Sequence, residues 1–161
     1  MENENLILSV DSDRATVVAD LNKLSERISQ IIAGADIDVI VDGHYASNVV
    51  SSDIVSYAFV LRLDPNQLGE RLRARGYSES KVLENIVSEI LDICLVDNVR
   101  EYGFERVDEI DVTNMSVEEV VGEILHVLRG QRKCRIGLVD WIARLEKDEK
   151  LDKFLTLLNK M

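Results

Sequence analysis

Residues 37–44 read Ile-Asp-Val-Ile-Val-Asp-Gly-His, a short apolar run closed by an aspartate, a glycine and a histidine. The run from Ile37 to Asp42 is too continuously apolar for a half-exposed strand and predicts an interior strand of a parallel sheet. In such sheets ligands bind beyond the carboxyl ends of the strands, so Asp42 and His44 stand where chemistry is usually done. A carboxylate there can hold magnesium through water, and a neighbouring imidazole can orient a phosphate or a water. The same two residues also read as a loop acid and a loop histidine with local hydrogen bonds. A phosphate loop of the form Gly-x-x-x-x-Gly-Lys-Ser/Thr would belong on an earlier strand, and residues 1–34 contain none.

Working outward, the apolar period switches between two and about 3.6 residues, which is the pattern of an α/β protein. Leu6 to Val10 and Thr16 to Val18 read as extended pieces joined by a turn over Asp11 to Arg14. Leu21, Leu24, Ile28, Ile31 and Ile32 follow at helical spacing, with Asp20 placed to cap the helix and Gly34 to end it. Beyond the polar stretch from Tyr45 to Asp53, Tyr57 to Leu63 predicts a second strand. Asp64-Pro65 then starts a helix that stops near Gly76, because aspartate caps free N–H groups and proline suits the first helical position. From Ser78 the stripe Val82, Ile86, Ile90, Cys94 and Val99 predicts one long helix ending near Gly103. Val107 to Val112 reads as a third strand, and Ser116 with Glu119 as a capping box before a helix that ends at Gly130. The tail turns helical through Leu138, Trp141, Ile142 and Leu145, and Leu151, Phe154, Leu155 and Leu158 predict a last amphipathic helix.

The composition sets limits on function. The chain has 161 residues, 46% of them apolar and 30% charged, which suits one globular domain. No stretch approaches a membrane span, and the amino terminus lacks the positive start of a secretory signal, so a cytoplasmic protein is expected. Cys94 and Cys134 lie too far apart for a zinc signature or a disulfide framework. Thirty acids against 19 bases give a net charge of −11, which disfavours nonspecific contact with nucleic acid and suits a basic protein partner. No direct DNA binding is expected. Any phosphate must then be held by a local basic cluster. Arg71, Arg73, Arg75 and Lys81, around Gly76-Tyr77, form one, and arginine's planar fork matches phosphate oxygens in pairs. Pairing of these arginines with Glu70 and Glu79 is the alternative. Arg132, Lys133 and Arg135 read as a solvated connection.

Taken together, Val41-Asp42-Gly43-His44, Val60-Leu61-Arg62, the stretch Arg71-Leu72-Arg73-Ala74-Arg75-Gly76-Tyr77-Ser78-Glu79-Ser80-Lys81, Glu84-Asn85-Ile86 and Glu89-Ile90 resemble the archaeal and nuclear adenylate kinase family also called CINAP. The similarity runs from about Val10 to Gly130. It implies an α/β fold with a P-loop-kinase-like parallel sheet and flanking helices, residues 1–130 forming the kinase-like domain and 131–161 a helical tail packed on it. It implies ATP and AMP as substrates, Mg2+ with ATP as cofactor, a possible ATPase activity, and a part in small-subunit ribosomal RNA maturation through a basic ribosomal protein. By position Asp42 looks like the acid that holds magnesium through water, with His44 its companion and Arg71 a further phosphate contact. Arg75 looks like the lid arginine on ATP, within a lid spanning about 74–84, and Lys81 is carried over to the same ligand.

The resemblance departs at the amino-terminal side, where family members have a central strand, the phosphate loop and a helix. Without the loop's lysine and N–H groups, little remains to cradle the β- and γ-phosphates. Four or five buried strand side chains at about 1.5 to 3 kcal/mol each would be missing with it. The reading therefore expects a truncated chain, with Met1 an internal methionine, and an incomplete ATP site. Two other readings stand beside it: a non-catalytic acidic module that binds a basic ribosomal protein, and a subunit completed by a second chain carrying the loop.

Overall fold

A computed structural model describes residues 6–11, 16–149, 152 and 156. Its contacts divide the chain into two units, residues 1–56 and 57–161.

The first unit begins with strands β1 (Ile7–Asp11) and β2 (Thr16–Ala19), an antiparallel pair with Ile7 opposite Ala19 and Asp11 opposite Thr16. Residues 12–14 of the expected turn lie outside the described residues. Helix α1 (Leu21–Ala33) starts where Asp20 accepts a hydrogen bond from the Lys23 N–H at 3.2 Å and stops at Gly34. A four-residue helix, α2 (Ala46–Val49), buries Ser47 and Val49. Between them the structure corrects the opening expectation: residues 37–42 form no strand. A strand is held by pairing its N–H and C=O groups with a neighbour. In this unit β1 and β2 pair with each other, and no described strand pairs with 37–42. Ile37 and Ile40 are left 82% and 92% exposed.

The second unit is built on two parallel strands, β3 (Ala58–Arg62) and β4 (Val107–Asp111), in register from Ala58 with Val107 to Arg62 with Asp111. Helices α3 (Pro65–Ala74), α4 (Glu79–Ile90) and α5 (Ile93–Tyr102) make the crossover a parallel pair needs. Helix α6 (Val117–Leu128) follows β4 and opens on the expected capping box, and α7 (Trp141–Lys147) comes after it. Val60, Val82, Val107, Ile110, Val127 and Trp141 are among its buried core.

Where one long helix was expected from Ser78 to Gly103, the chain breaks at Leu91-Asp92. Asp92 takes φ +56°, a left-handed conformation that aspartate tolerates better than most residues. The last expected helix, at Leu151, Phe154, Leu155 and Leu158, lies outside the described residues. Among the described residues no helix is long and apolar enough to cross a membrane.

Candidate functional site

The arginine cluster sits on a helical hairpin made by α3 and α4. Asp64 caps α3, accepting from the N–H groups of Asn66 at 2.9 Å and Gln67 at 3.3 Å, and Pro65 occupies the first helical position. The far end of α3 closes with Gly76 N–H donating to Arg73 O at 2.9 Å and Tyr77 N–H to Leu72 O at 3.2 Å. This is a Schellman closure, and it needs the left-handed φ of +80° that Gly76 supplies. Ser78 then accepts from the Lys81 N–H and starts α4. Local capping alone thus sets the turn that carries Arg-Gly-Tyr.

Within the hairpin the four basic residues differ. Arg73 is engaged as a fork on Glu79, Nε to Oε1 at 2.7 Å and Nη2 to Oε2 at 3.0 Å. The hydrogen bond from Arg73 holds the Glu79 carboxyl below its ordinary value, and the same bond raises the Arg73 guanidinium. Lys81 Nζ stands 3.5 Å from Glu84 Oε2. Arg71 and Arg75, by contrast, are exposed and carry no ion pair among the described residues. Two uncommitted planar donors on one hairpin end can take an anion with paired oxygens.

Asp42 and His44 belong to the other unit. They stand two residues apart on the exposed stretch before α2, where the Ala46 N–H donates to Gly43 O at 3.2 Å. Just beyond, the Ser47 hydroxyl is buried without a hydrogen-bond partner among the described residues. Asp42 offers magnesium a hard, exposed oxygen, which fits an ion that keeps most of its waters and takes one or two carboxylates with substrate phosphates.

The residues that sequence reading missed form a buried ionic network in the second unit. Arg62, 1% exposed, donates Nε to Glu89 Oε1 at 2.8 Å, Nη1 to Glu109 Oε1 at 2.6 Å and Nη2 to the Glu89 carbonyl at 2.9 Å. Its Nη2 also pairs with Asp92, whose carboxylate makes no cap for its own helix. Burial works against the charge on Arg62, but Glu89 and then Asp92 more than offset it and raise its pKa.

The connection after α6 docks on the same strands. Arg132 forks onto the fully buried Asp108 at 2.7 and 2.8 Å, and the Arg135 N–H donates to Asp108 at 2.8 Å. The Leu138 N–H donates to Glu109 Oε2 at 2.7 Å and Trp141 Nε1 to Glu89 Oε1 at 2.7 Å. The expectation of a solvated basic connection is therefore corrected for Arg132, since a fully buried carboxylate needs a counter-charge. The available signal was charge inside apolar runs: Arg62 after Val60-Leu61, and Asp108-Glu109 between Val107 and Ile110.

Residues 1–92 match the family described as AAA domain. That span includes Asp42, His44, Arg71, Arg75 and Lys81. A protein of Thermococcus onnurineus named "Putative adenylate kinase" is 41% identical over 128 residues, 80% of this chain and 67% of the relative. Proteins of the same name from Archaeoglobus fulgidus and Methanocaldococcus jannaschii are 37% and 40% identical. Each alignment covers 91% of this chain, and 76% and 73% of the respective relative. The chain belongs to the archaeal adenylate kinase-type family. In this adenylate kinase-type chain the carboxyl ends of β3 and β4 are tied together beside the hairpin. Thr113 Oγ1 donates to Asp111 and accepts from the Asp64 N–H at 3.0 Å, and the Val112 N–H donates to Arg62 O at 2.8 Å. The capping aspartate of α3 is thereby fixed to the end of the sheet.

Proposed function

We propose that this chain is a nucleotide phosphotransferase of the adenylate kinase type, which moves a phosphoryl group from MgATP to AMP. The bond between the γ-phosphorus and its bridging oxygen breaks, a bond to an AMP phosphate oxygen forms, and two ADP result. The observation that carries this reading is that Arg71 and Arg75 carry no ion pair among the described residues of a chain of net charge −11, while Arg73 and Lys81 beside them are engaged by glutamates. In so acidic a protein, free guanidinium pairs at a hairpin end are the natural phosphate donors.

In the roles we assign, Arg75 binds ATP phosphate from the lid spanning about 74–84, and Arg71 adds a second phosphate contact. Lys81 is assigned to the same nucleotide. Asp42 accepts from a metal-bound water, and His44 orients a phosphate or a water. Magnesium, when bound with ATP, neutralises charge on the β- and γ-phosphate oxygens. Closure of the hairpin excludes water, so that AMP rather than water receives the phosphoryl group.

The test is MgATP binding by calorimetry together with ADP formation from ATP and AMP. Arg75→Ala should weaken binding or slow transfer at least about tenfold, the cost of one charge-assisted contact of about 1.5 kcal/mol. Unchanged binding and rate in that variant would remove Arg75 from the site.

A second reading has its own observation: the 161 residues contain no Gly-x-x-x-x-Gly-Lys-Ser/Thr sequence, and 30 acids face 19 bases. On that reading the chain binds a basic small-subunit ribosomal protein in ribosomal RNA maturation without turning over nucleotide. Such binding weakens with salt and is indifferent to ATP. Salt-insensitive binding would exclude it.

A further inference from the structure

Helix α7 reaches both places where the α3–α4 hairpin joins the rest of the second unit. Trp141, 2% exposed, packs with Ile90, Ile86 and Val87 in the last turns of α4, and its Nε1 donates to Glu89 Oε1 at 2.7 Å. That oxygen also accepts from Arg62 of β3, so the indole is tied through one atom to the sheet. One turn on, Arg144 lies over the Trp141 ring at 5.4 Å, with Nη2 3.9 Å from Asp64, the carboxylate that caps α3. Between these contacts a small cleft of about 20 Å³, room for about one water, is lined by Pro65 and Asn66 of α3 and by Trp141, Arg144 and Leu145 of α7.

The hairpin itself is built to move as one piece. A Cβ on Gly69 of α3 would fall 3.0 Å from Ile86 Cδ1 of α4, so the two helices touch closely at mid-height. Arg73 and Glu79 clamp them again at the tip. Arg75 lies ten residues past Pro65, about 15 Å along the helix, so a small tilt at the foot displaces the tip by several ångströms. At the foot the hairpin is held to the sheet by the Asp64 N–H on Thr113 and by Arg62 on Glu89, and α7 adds one hydrogen bond to that carboxylate, the indole packing and one long ion pair.

We propose that α7 braces the foot of the hairpin, and that Trp141 and Arg144 are positioning residues that set the angle at which Arg71 and Arg75 are presented. The functional consequence rests on the reading that the hairpin tip binds nucleotide; the brace does not. Few-residue hinges at element ends are how packed bodies accommodate such tilts. Trp141 is also the single tryptophan of the chain, so its emission reports the foot directly.

The experiment measures amide residual dipolar couplings of the whole chain without nucleotide, for the wild type, Trp141→Phe and Arg144→Ala. Trp141→Phe keeps an aromatic ring and loses the Nε1 donor; Arg144→Ala alters an exposed side chain and preserves folding. In the wild type, α3, α4, β3 and β4 should fit one alignment. In the variants the hairpin couplings should shrink and leave that fit, while β3, β4 and α6 keep it. A general loss of stability lowers the melting temperature without separating hairpin from sheet. If Trp141→Phe does not fold, Arg144→Ala decides. A single alignment for hairpin and sheet in every folded variant overturns the brace.

A titration with MgATP completes the test. It should shift Trp141 emission in the wild type, and Arg144→Ala should raise the half-saturating concentration, by up to about tenfold. A wild-type chain that binds no MgATP would remove the nucleotide reading, and the brace would still be judged by the couplings.

Discussion

Replacing Arg62 by methionine tests the energetics of the second unit most directly. The substitution keeps a long apolar stem on β3 and deletes a guanidinium that makes contacts with Glu89, Asp92 and Glu109. The three carboxylates are not left equally exposed to the loss. Asp92, with its side chain 37% exposed, recovers water, and Glu89 keeps donors from Trp141 and Leu63. Glu109 is 0% exposed and, among the described residues, keeps only the Leu138 N–H donor named above, so it becomes a buried charge without a counter-charge. Breaking a buried pair in this way costs about 3 to 5 kcal/mol, against about 5 to 15 kcal/mol for a whole domain. With a urea slope of about 1 to 3 kcal/mol per molar, the midpoint should fall by roughly 1 to 5 M. Trp141 fluorescence is the assay, because the indole shares an acceptor oxygen with Arg62. A double variant, Arg62→Met with Glu109→Gln, removes the stranded charge and keeps an acceptor for Leu138. It should recover at least half of the loss. A cost below about 1 kcal/mol for Arg62→Met, or a double variant no more stable than the single one, would refute the reasoning.

Two further outcomes follow from local geometry. Gly76→Ala places a Cβ in open space but at φ +80°, so its cost is conformational, about 1 to 2 kcal/mol, read as a lowered melting temperature of the second unit. The Glu119 carboxyl is held below its ordinary value of 4.5 by the Ser116 N–H and then the Ser116 hydroxyl. Its pKa is lower in the folded than in the unfolded chain, so its contribution is full above 4.5 and is lost as pH falls through the folded value. Glu119→Gln removes the titrating carboxyl and should therefore flatten the acid limb of stability, measured as urea midpoints across that range; an unchanged limb would remove the capping box as its source.

How much of this was legible in the sequence depended on how far each decision reaches along the chain. Asp64-Pro65, Ser78, and Ser116 with Glu119 were readable because a cap is settled within four residues, and each stands where its residues place it. The β3 and β4 runs were readable from apolarity, but their parallel register was not, since it depends on residues 49 positions apart. The break at Asp92 was illegible for the same reason: the partner of its carboxylate is Arg62, 30 residues earlier, and nothing local to Asp92 announces that pairing. Arg132 looked like surface because basic residues usually are; Asp108 lies 24 residues before it, and only the fold brings them together.

The stretch 37–42 shows where pattern stops being sufficient. It holds four apolar residues, as many as residues 58–62, yet Val60 is buried and Ile40 is 92% exposed. The difference is not in the side chains. Residues 58–62 find β4 alongside, whereas β1 and β2 use each other's backbone groups and leave 37–42 without a described neighbour. Apolarity supplies the free energy of burial only after hydrogen bonding has built the sheet that does the burying. The argument for Asp42 from its place at a strand exit goes with that strand, and what supports its assignment is its chemistry and its position in the family's sequence pattern. For Arg71 and Arg75 the order is reversed. Their placement follows from caps and one glycine, all local, so the hairpin end is where sequence and structure agree, and where a nucleotide titration bears most directly on function.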